Sequence, residues 1–191
     1  MKIIIAGAGE VGSYLAHMLA NEAQDTYLID DNKKRLDKAR QHNDIIALEG
    51  DAKDVDVLLE AGVAKCDLLI AATSSEETNL LICILGKKLG AKRTISRISN
   101  FEEIGGDMRT LYKEIGVDHV ISPVEIAAKE IHQLIKHEAF LDHYDFEGGK
   151  LSVFSIQVTS NSPMVGNCVL NSKHFHNNLS FKPIAILRHA E

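Results

Sequence analysis

The sequence predicts an α/β fold, in which a doubly wound parallel sheet of six strands is followed by a small, partial α+β lobe. Short apolar runs alternate with segments of helical periodicity from the first residues to about residue 140. Alternation at this spacing is typical of right-handed βαβ crossovers over a buried parallel sheet. A chain of 191 residues, of which 45% are hydrophobic, has room for one full α/β domain and a smaller appendage.

Six short apolar runs are the predicted strands, at residues 2–6, 26–30, 44–48, 67–72, 94–98 and 118–122. The predicted helices lie between them, at residues 10–21, 33–42, 55–61, 76–89 and 101–115. Six strands connected in this way suit the doubly wound order 3-2-1-4-5-6. Ser74 and Glu77 are expected to form a capping box that opens the fourth helix, and Gly90 follows its end.

The chain changes character after the sixth strand. Residues 124–141 predict one more helix, because apolar residues such as Ile131 and Ile135 recur near helical spacing. A helix in this place often connects or dimerises domains. Strands are expected at residues 151–159 and 183–188, and so few strands make a poor independent core. We therefore expect a domain at residues 1–122, an exit helix at 123–141 and a lobe at 142–191 that is cut short or completed by another chain.

The turn after the first strand reads Gly-Ala-Gly-Glu-Val-Gly, at residues 7–12. This is the G-x-G-x-x-G fingerprint of Rossmann-like dinucleotide-binding domains, and it stands between a predicted strand and a predicted helix. Gly7 permits the tight turn, Gly9 removes a Cβ that would obstruct a pyrophosphate, and Gly12 lets the helix pack on the strand. The amino terminus of the helix then offers N–H groups to a phosphate. The alternative is a glycine turn that only packs.

Asp30 ends the second strand, where such folds place the carboxylate that binds the adenosine ribose hydroxyls. Asp31 follows directly, and the absence of Arg or Lys at that position favours NAD or an adenine nucleotide over NADP. The basic residues at 33–35 weaken this preference without reversing it. Asp30 has helix capping as its alternative role, and capping is the favoured role for Asp31 and Asn32.

Two further loops are predicted at the same edge of the sheet, because the carboxyl ends of parallel strands lie together. Asp51 and Ala52 follow the third strand, and Ala72 and Thr73 follow the fourth. Asp51 is placed to meet the adenine amino group, and Thr73 to border the ribose or the phosphates. Asp51 has an alternative role as the cap of the helix that begins near Asp54.

Arg97 lies on the fifth strand between apolar neighbours, and it is expected to point to one face of the sheet near the crevice. A buried arginine needs an anion. A ligand phosphate and a nearby carboxylate are the two candidates, and the sequence leaves both open.

Composition and charge exclude several classes of function. A formal net charge of −6 argues against a protein that coats nucleic acid, and no apolar run is long enough to span a membrane. Three scattered cysteines, at positions 66, 83 and 168, form no zinc or disulfide framework. His132 and His137 are poorly aligned for a metal on the predicted helix. His174 and His176 alternate as neighbours on a strand do, which leaves a metal site as an alternative, but solvated polar residues are the favoured interpretation.

The sequence also lacks catalytic groups of the kinds that accompany this fold in enzymes. It contains no Tyr-x-x-x-Lys pair, and none of its cysteines has a convincing catalytic neighbourhood. The residues that follow the predicted sheet leave little room for a substrate domain. An NAD-dependent oxidoreductase with unrecognised substrate residues is therefore the second hypothesis, behind a nucleotide-binding protein that is not an enzyme.

An ordered series of motifs resembles the RCK (KTN) domain family over roughly residues 1–140. The series comprises GAGEVG after the first strand, GDA after the third, ATSSEETN after the fourth and ISP before the exit helix. The segment GGKLSVFSIQVTSNSPMVGNCV is similar to the start of the small RCK-C lobe of that family. By this resemblance, the remaining strands of that lobe are expected to be missing from these 191 residues.

The resemblance implies a regulator that binds NAD(H), or alternatively ATP or ADP, and performs no catalysis. It implies a homodimer or larger ring beneath a membrane potassium channel subunit of the Trk type, so that the protein is cytoplasmic and peripheral to the inner membrane. A regulator of a potassium antiporter is a further alternative. The nucleotide-binding residues predicted from the motifs and the resemblance together are Gly7, Ala8, Gly9, Glu10, Val11, Gly12, Asp30, Asp31, Asp51, Ala52, Ala72, Thr73 and Arg97.

Overall fold

The computed structural model describes residues 1–22, 24–41, 44–99, 106–136, 142–146, 150–162, 164–166 and 183–187. The chain forms two compact units, Met1–Lys129 and Glu130–Glu191. The predicted boundaries after residues 122 and 141 stay predictions. No helix in the described part of the chain is both long and apolar enough to cross a membrane.

The first unit contains a six-stranded sheet. Its strands are β1 (Lys2–Ala6), β2 (Asp25–Asp30), β3 (Ile46–Glu49), β4 (Leu68–Ala71), β5 (Thr94–Arg97) and β6 (His119–Ile121). They lie in the order β3-β2-β1-β4-β5-β6, and every neighbouring pair is parallel. The predicted fold class and strand order are confirmed.

The described residues form six α-helices, of which α6 extends from the first unit into the second: α1 (Glu10–Asn21), α2 (Lys33–Arg40), α3 (Val55–Glu60), α4 (Glu76–Lys88), α5 (Gly106–Ile115) and α6 (Pro123–Lys136). Each predicted helix overlaps one of them. The predicted first residues of α5, 101–105, and the predicted last residues of α6, 137–141, lie outside the described residues.

The core lies on both faces of the sheet, because successive residues of a strand point to opposite sides. Ile3 and Ile5 of β1 belong to one buried cluster, with Leu28 and Ala16. Ile4 belongs to the cluster on the other face. Burial on both faces explains why the strands read as continuous apolar runs rather than as alternating patterns.

Helix α4 begins one residue later than the predicted capping box requires. Ser75, not Ser74, is the N-cap: its backbone is extended, and its hydroxyl accepts a hydrogen bond from the N–H of Thr78. Glu77 is hydrogen-bonded to the Ser75 hydroxyl at 2.9 Å. The prediction was wrong by one residue because Ser74 and Ser75 are both capable caps and only the path of the chain out of β4 decides between them.

Helix α6 starts from Ser122, whose hydroxyl accepts the N–H of Glu125 at 3.3 Å. Its apolar residues Val124, Ile131 and Ile135 are 64%, 58% and 70% exposed. Their spacing of seven and four residues places them on one face of the helix. These three residues form an exposed apolar stripe, and Ile126, which is 53% exposed, lies on another face.

The second unit contains an antiparallel pair, β7 (Asp142–Phe146) and β8 (Leu151–Ser155). Strand β8 confirms the first part of the strand predicted at residues 151–159, whereas β7 was not predicted because its sequence, DHYDF, is largely polar. The strand predicted at residues 183–188 is wrong for residues 183–187, which are irregular. A strand needs a paired neighbour, and no described segment pairs with these residues. Cys168, His174 and His176 lie outside the described residues.

Candidate binding crevice

An open crevice lies at the carboxyl ends of the central strands, with a volume of about 480 Å³. In open α/β sheets this is where ligands bind, at the point where the strand order reverses between β1 and β4. Eleven of the thirteen predicted site residues line it: Gly7, Gly9, Glu10, Val11, Asp30, Asp31, Asp51, Ala52, Ala72, Thr73 and Arg97. The crevice therefore brings together all the predicted loops.

Ala8 and Gly12, the other two predicted residues, are not among the lining residues. A Cβ on Gly12 would lie only 1.8 Å from the carbonyl oxygen of Gly7, so this position permits close packing of α1 behind the turn. Gly7 has a φ of +104°, and a Cβ there would lie 2.9 Å from the amide nitrogen of Thr73. Gly7 and Gly12 thus allow the close backbone approaches on which the turn depends.

Gly9 has the opposite surroundings. A Cβ built at Gly9 meets nothing within 4 Å, although the residue lines the crevice. It is the N-cap of α1, and the first N–H groups of a helix have no partner inside that helix. The missing Cβ leaves room for a group to approach this backbone, and the helix amino terminus favours an anion. These residues fit a phosphate group.

Asp30 is almost fully buried at the end of β2. One carboxylate oxygen accepts the N–H of Ala8 at 2.6 Å, and the other accepts the N–H of Asn32 at 2.8 Å. The alternative of helix capping does not hold for Asp30 or Asp31, because the side chain of Asn32 caps α2. A carboxylate has about four acceptor positions, so Asp30 retains capacity for the hydroxyls of a ribose.

Arg35 is a lining residue that the list of predicted site residues lacks. Its guanidinium lies 3.8 Å from the carboxylate of Asp30, and its side chain is 57% exposed. The sequence offers a signal for this placement, because a helix that starts at residue 33 directly after the β2 turn keeps its first turn beside the end of the strand. Arg35 adds a positive charge to the rim of the crevice next to Asp30.

Asp51 lies at the crevice wall after β3, with its side chain 55% exposed. It accepts the N–H of Lys53 at 2.9 Å and forms an ion pair with the Lys53 ammonium at 3.3 Å. Its alternative role as the cap of α3 is wrong, because Asp54 occupies that position and accepts the N–H of Asp56. Lys53 also lines the crevice and was not predicted.

The opposite wall is built around a buried amide. Asn79, on α4, is 1% exposed and bonds both to Thr73 and to the backbone of Arg97. The guanidinium of Arg97 donates to the carbonyl of Thr73 at 3.3 Å. Among the described residues no carboxylate lies within ion-pair distance of Arg97, so this part of the chain does not supply the nearby-carboxylate alternative. Asn79 was missed because a polar residue inside a helical pattern gives no sign of burial.

The described residues contain no cluster of three or more histidine, cysteine or acidic side chains that could hold a metal ion. Burial raises the pKa of the Cys83 thiol to about 12 and also raises that of Cys66. Both thiols are therefore protonated near neutral pH and are poor nucleophiles.

The parallel order of the sheet, the glycine turn and the acid at the end of β2 place the first unit in the class of Rossmann-like α/β domains. Residues 3–123 match the family described as the TrkA-N domain. The chain belongs to the TrkA-N family. Its fold is also similar to that of the GsuK RCK domain, with a TM-score of 0.57 at 24% identity.

Two curated relatives show how much of the chain is shared. The Trk system potassium uptake protein TrkA of Vibrio alginolyticus is 33% identical over 191 residues, which cover 98% of this chain and 42% of that protein. The Trk system potassium uptake protein TrkA homolog of Methanothermobacter thermautotrophicus is 32% identical over 169 residues, which cover 88% of this chain and 76% of that protein. The chain thus spans less than half of the Vibrio protein.

Solved structures support the same fold. The structure named GsuK channel bound to NAD has a TM-score of 0.58 at 24% identity and covers 72% of this chain and 23% of that one. The Kef CTD of Shewanella denitrificans in AMP-bound form has a TM-score of 0.54 at 22% identity and covers 69% of this chain and 77% of that one. At these identities the likeness concerns the fold alone.

Proposed function

We propose that this chain is a nucleotide-sensing regulatory component of a Trk-type potassium uptake system and that it performs no catalysis. One observation carries the proposal: the loops after β1, β2, β3 and β4 and the side chain of Arg97 meet around a single open crevice. The TrkA names of its curated relatives supply the potassium system, and the NAD and AMP in the names of two solved neighbours supply the ligand class.

The crevice divides a nucleotide between its walls. Gly9 and the first turn of α1, with Glu10 and Val11, would hold a pyrophosphate, and Asp30 would accept ribose hydroxyls. Asp51 would face the adenine amino group. Thr73 and Arg97 would approach the phosphates from the other wall, where a guanidinium suits phosphate oxygens. NAD(H) is our first candidate, and ATP or ADP the second.

Regulation requires that the ligand prefer one of two conformations, because a ligand with equal affinity for both shifts neither. We propose that the partner is a membrane potassium channel subunit and that the chain acts from the cytoplasmic side, peripheral to the inner membrane. We also propose that the exposed apolar stripe of α6, formed by Val124, Ile131 and Ile135, contributes to a homo-oligomer.

Calorimetric titration of the 191-residue chain and of the full-length assembly with NADH, NAD, ATP and ADP is the direct test. We expect saturable binding of at least one of them, and loss of that binding in Gly9→Val and in Asp30→Ala. A Thr94→Val variant is the matched control, because Thr94 is buried at the other end of β5 and only a structural effect is expected.

Absence of binding to the assembly would refute the sensor, and unchanged binding by both crevice variants would refute the site. Steady loss of NADH absorbance with some small-molecule substrate would instead favour the oxidoreductase hypothesis.

A further inference from the structure

The side chain of Asn79 links two strands at the rim of the crevice. Its Oδ1 accepts the backbone N–H of Thr73 at 2.8 Å and the hydroxyl of Thr73 at 2.7 Å. Its Nδ2 donates to the carbonyl of Thr73 at 3.2 Å and to the carbonyl of Arg97 at 2.9 Å. The loop after β4 and the end of β5 are thus held by a single side chain from α4.

Every hydrogen-bonding position of this amide is used. An asparagine side chain has two donors and an oxygen with two lone pairs, and all four meet a partner. The orientation of the amide is fixed as well, because the N–H of Thr73 is a donor and must face the oxygen. A fully satisfied buried amide of this kind holds its partners in one geometry.

Packing alone does not require an asparagine here. One turn further along α4, Cys83 is buried and donates weakly to the carbonyl of Ile95, at 3.4 Å. Ile82 is buried on the same helix and lines the crevice itself. Helix α4 therefore packs on the sheet through apolar and weakly polar side chains, even beside the crevice, and burial alone does not explain the amide of Asn79.

We propose that Asn79 is a positioning residue for the nucleotide, which acts through Thr73 and Arg97 without touching the ligand. Asn79 does not line the crevice, whereas both of its partners do. It holds the backbone of Arg97, and the guanidinium of Arg97 in turn donates to the Thr73 carbonyl. The amide thereby fixes where the positive charge of this wall is presented. This inference rests on the proposed nucleotide-binding function.

The test is calorimetric titration of the 191-residue chain with ADP, for wild type, Asn79→Ala, Arg97→Met and the double variant. We expect Asn79→Ala to weaken ADP binding about tenfold or more, as loss of a charge-assisted hydrogen bond does. We expect the double variant to bind no more weakly than Arg97→Met alone, because both changes remove the same contact. Thr94→Val, which loses buried hydrogen bonds at the far end of β5, should bind ADP like the wild type.

Asn79→Asp gives a second measurement if the alanine variant does not fold. The aspartate keeps the acceptor for Thr73 but turns an ionised oxygen toward two carbonyls, so its pKa should be raised. Once protonated, it donates to one carbonyl again. We therefore expect its ADP affinity, relative to the wild type at the same pH, to recover as the pH falls.

Binding of ADP by Asn79→Ala within twofold of the wild type would overturn the inference, as would additive losses in the double variant or a pH-independent ratio for Asn79→Asp. The wild type is also titrated with NADH, NAD and ATP, and if it binds one of these but not ADP, the same variants are compared with that nucleotide. If the wild type binds none of the four nucleotides, the proposed function fails first and the inference fails with it. The two failures are distinguished by the wild-type titration alone.

Discussion

Charged side chains are paired differently at the two ends of the sheet, where the strands begin and where they end. At the amino ends of the strands, Asp118 accepts the Lys87 ammonium at 2.7 Å and the N–H of Thr94 at 2.8 Å. Nearby, Asp67 accepts the Lys92 ammonium at 2.7 Å and the N–H of Lys2 at 2.9 Å. Both of these carboxylates are matched by a cation and a backbone donor.

At the carboxyl ends the ion pairs are longer and border the crevice. Arg35 lies 3.8 Å from Asp30 with more than half of its side chain exposed, and Asp51 lies 3.3 Å from the ammonium of the half-exposed Lys53. Among the described residues, Arg97 has a carbonyl and no carboxylate as its partner. Charges that are satisfied within the chain stabilise the fold, whereas charges left facing an open crevice are available to a ligand. The difference separates structural from functional polar groups on the same sheet.

The largest loss of stability is expected for a substitution inside the glycine turn. Gly12→Ala places a Cβ 1.8 Å from the Gly7 carbonyl, so α1 must move off the strand. We expect the free energy of unfolding to fall by about 3 kcal/mol, which is the upper part of the usual range for overpacking. Urea unfolding followed by circular dichroism measures it.

Gly9→Ala is the matched control, since its Cβ meets nothing within 4 Å. It should leave stability within about 1 kcal/mol of the wild type, the ordinary helix-terminal cost of such a change, and weaken nucleotide binding. Equal stability of the Gly9 and Gly12 variants would show that the two glycines are not divided between packing and ligand access.

A smaller effect is expected at the amino ends of the strands. Lys87→Met removes the ammonium that donates to Asp118 and to the carbonyl of Lys92. The pair is about one third exposed, so we expect a loss of about 1 kcal/mol rather than the larger cost of a buried pair. Thermal unfolding measures the loss, and titration with ADP should show unchanged affinity. Weakened binding would contradict the separation of the two ends.

The smallest expected effect is on the pH dependence of the unfolding free energy. Burial raises the pKa of Asp118, but the hydrogen bonds from Lys87 and Thr94 lower it by more than burial raises it. The pKa of this carboxyl therefore lies below its ordinary value of 3.8. The hydrogen bond from Lys92 likewise lowers the pKa of Asp67. A carboxyl with a depressed folded pKa stabilises the protein above its ordinary pKa, and this stability is lost as the pH falls through the folded value.

Asp118→Asn should therefore show a smaller fall in unfolding free energy than the wild type as the pH drops from about 5 toward 2. Urea unfolding at a series of pH values measures the two slopes. Identical slopes would mean that the carboxylate of Asp118 contributes nothing to acid sensitivity.

The sequence was sufficient for the sheet because burial on both faces turns each strand into a short apolar run. Ile3, Ile4 and Ile5 leave no other interpretation when a glycine turn follows them. The sequence was insufficient where a segment forms a strand because it has a neighbour to pair with, and not because of its composition. The polar strand β7 exists because β8 pairs with it, and residues 183–187 are irregular despite an apolar sequence.

The crevice was predictable to the extent that parallel strands bring their carboxyl ends together. Asp30, Asp51 and Thr73 follow from that rule. Asn79 and Arg35 do not, because the rule describes strand ends and these residues lie on helices. The start of α2 directly after β2 is a sequence signal for Arg35, whereas only the three-dimensional path of the chain shows that Asn79 returns to the rim. The cap of α4 was misplaced for the same reason.

The hydrogen bond from Ala8 to Asp30 joins the glycine turn to the end of β2 on one wall of the crevice. On the other wall, Asn79 joins the loop after β4 to the end of β5. Under the proposed function, a molecule long enough to reach both walls would contact both of these connections, while a fragment such as adenosine would contact the first alone. The length of a ligand, as much as its chemical identity, would then decide which cellular molecules act as effectors.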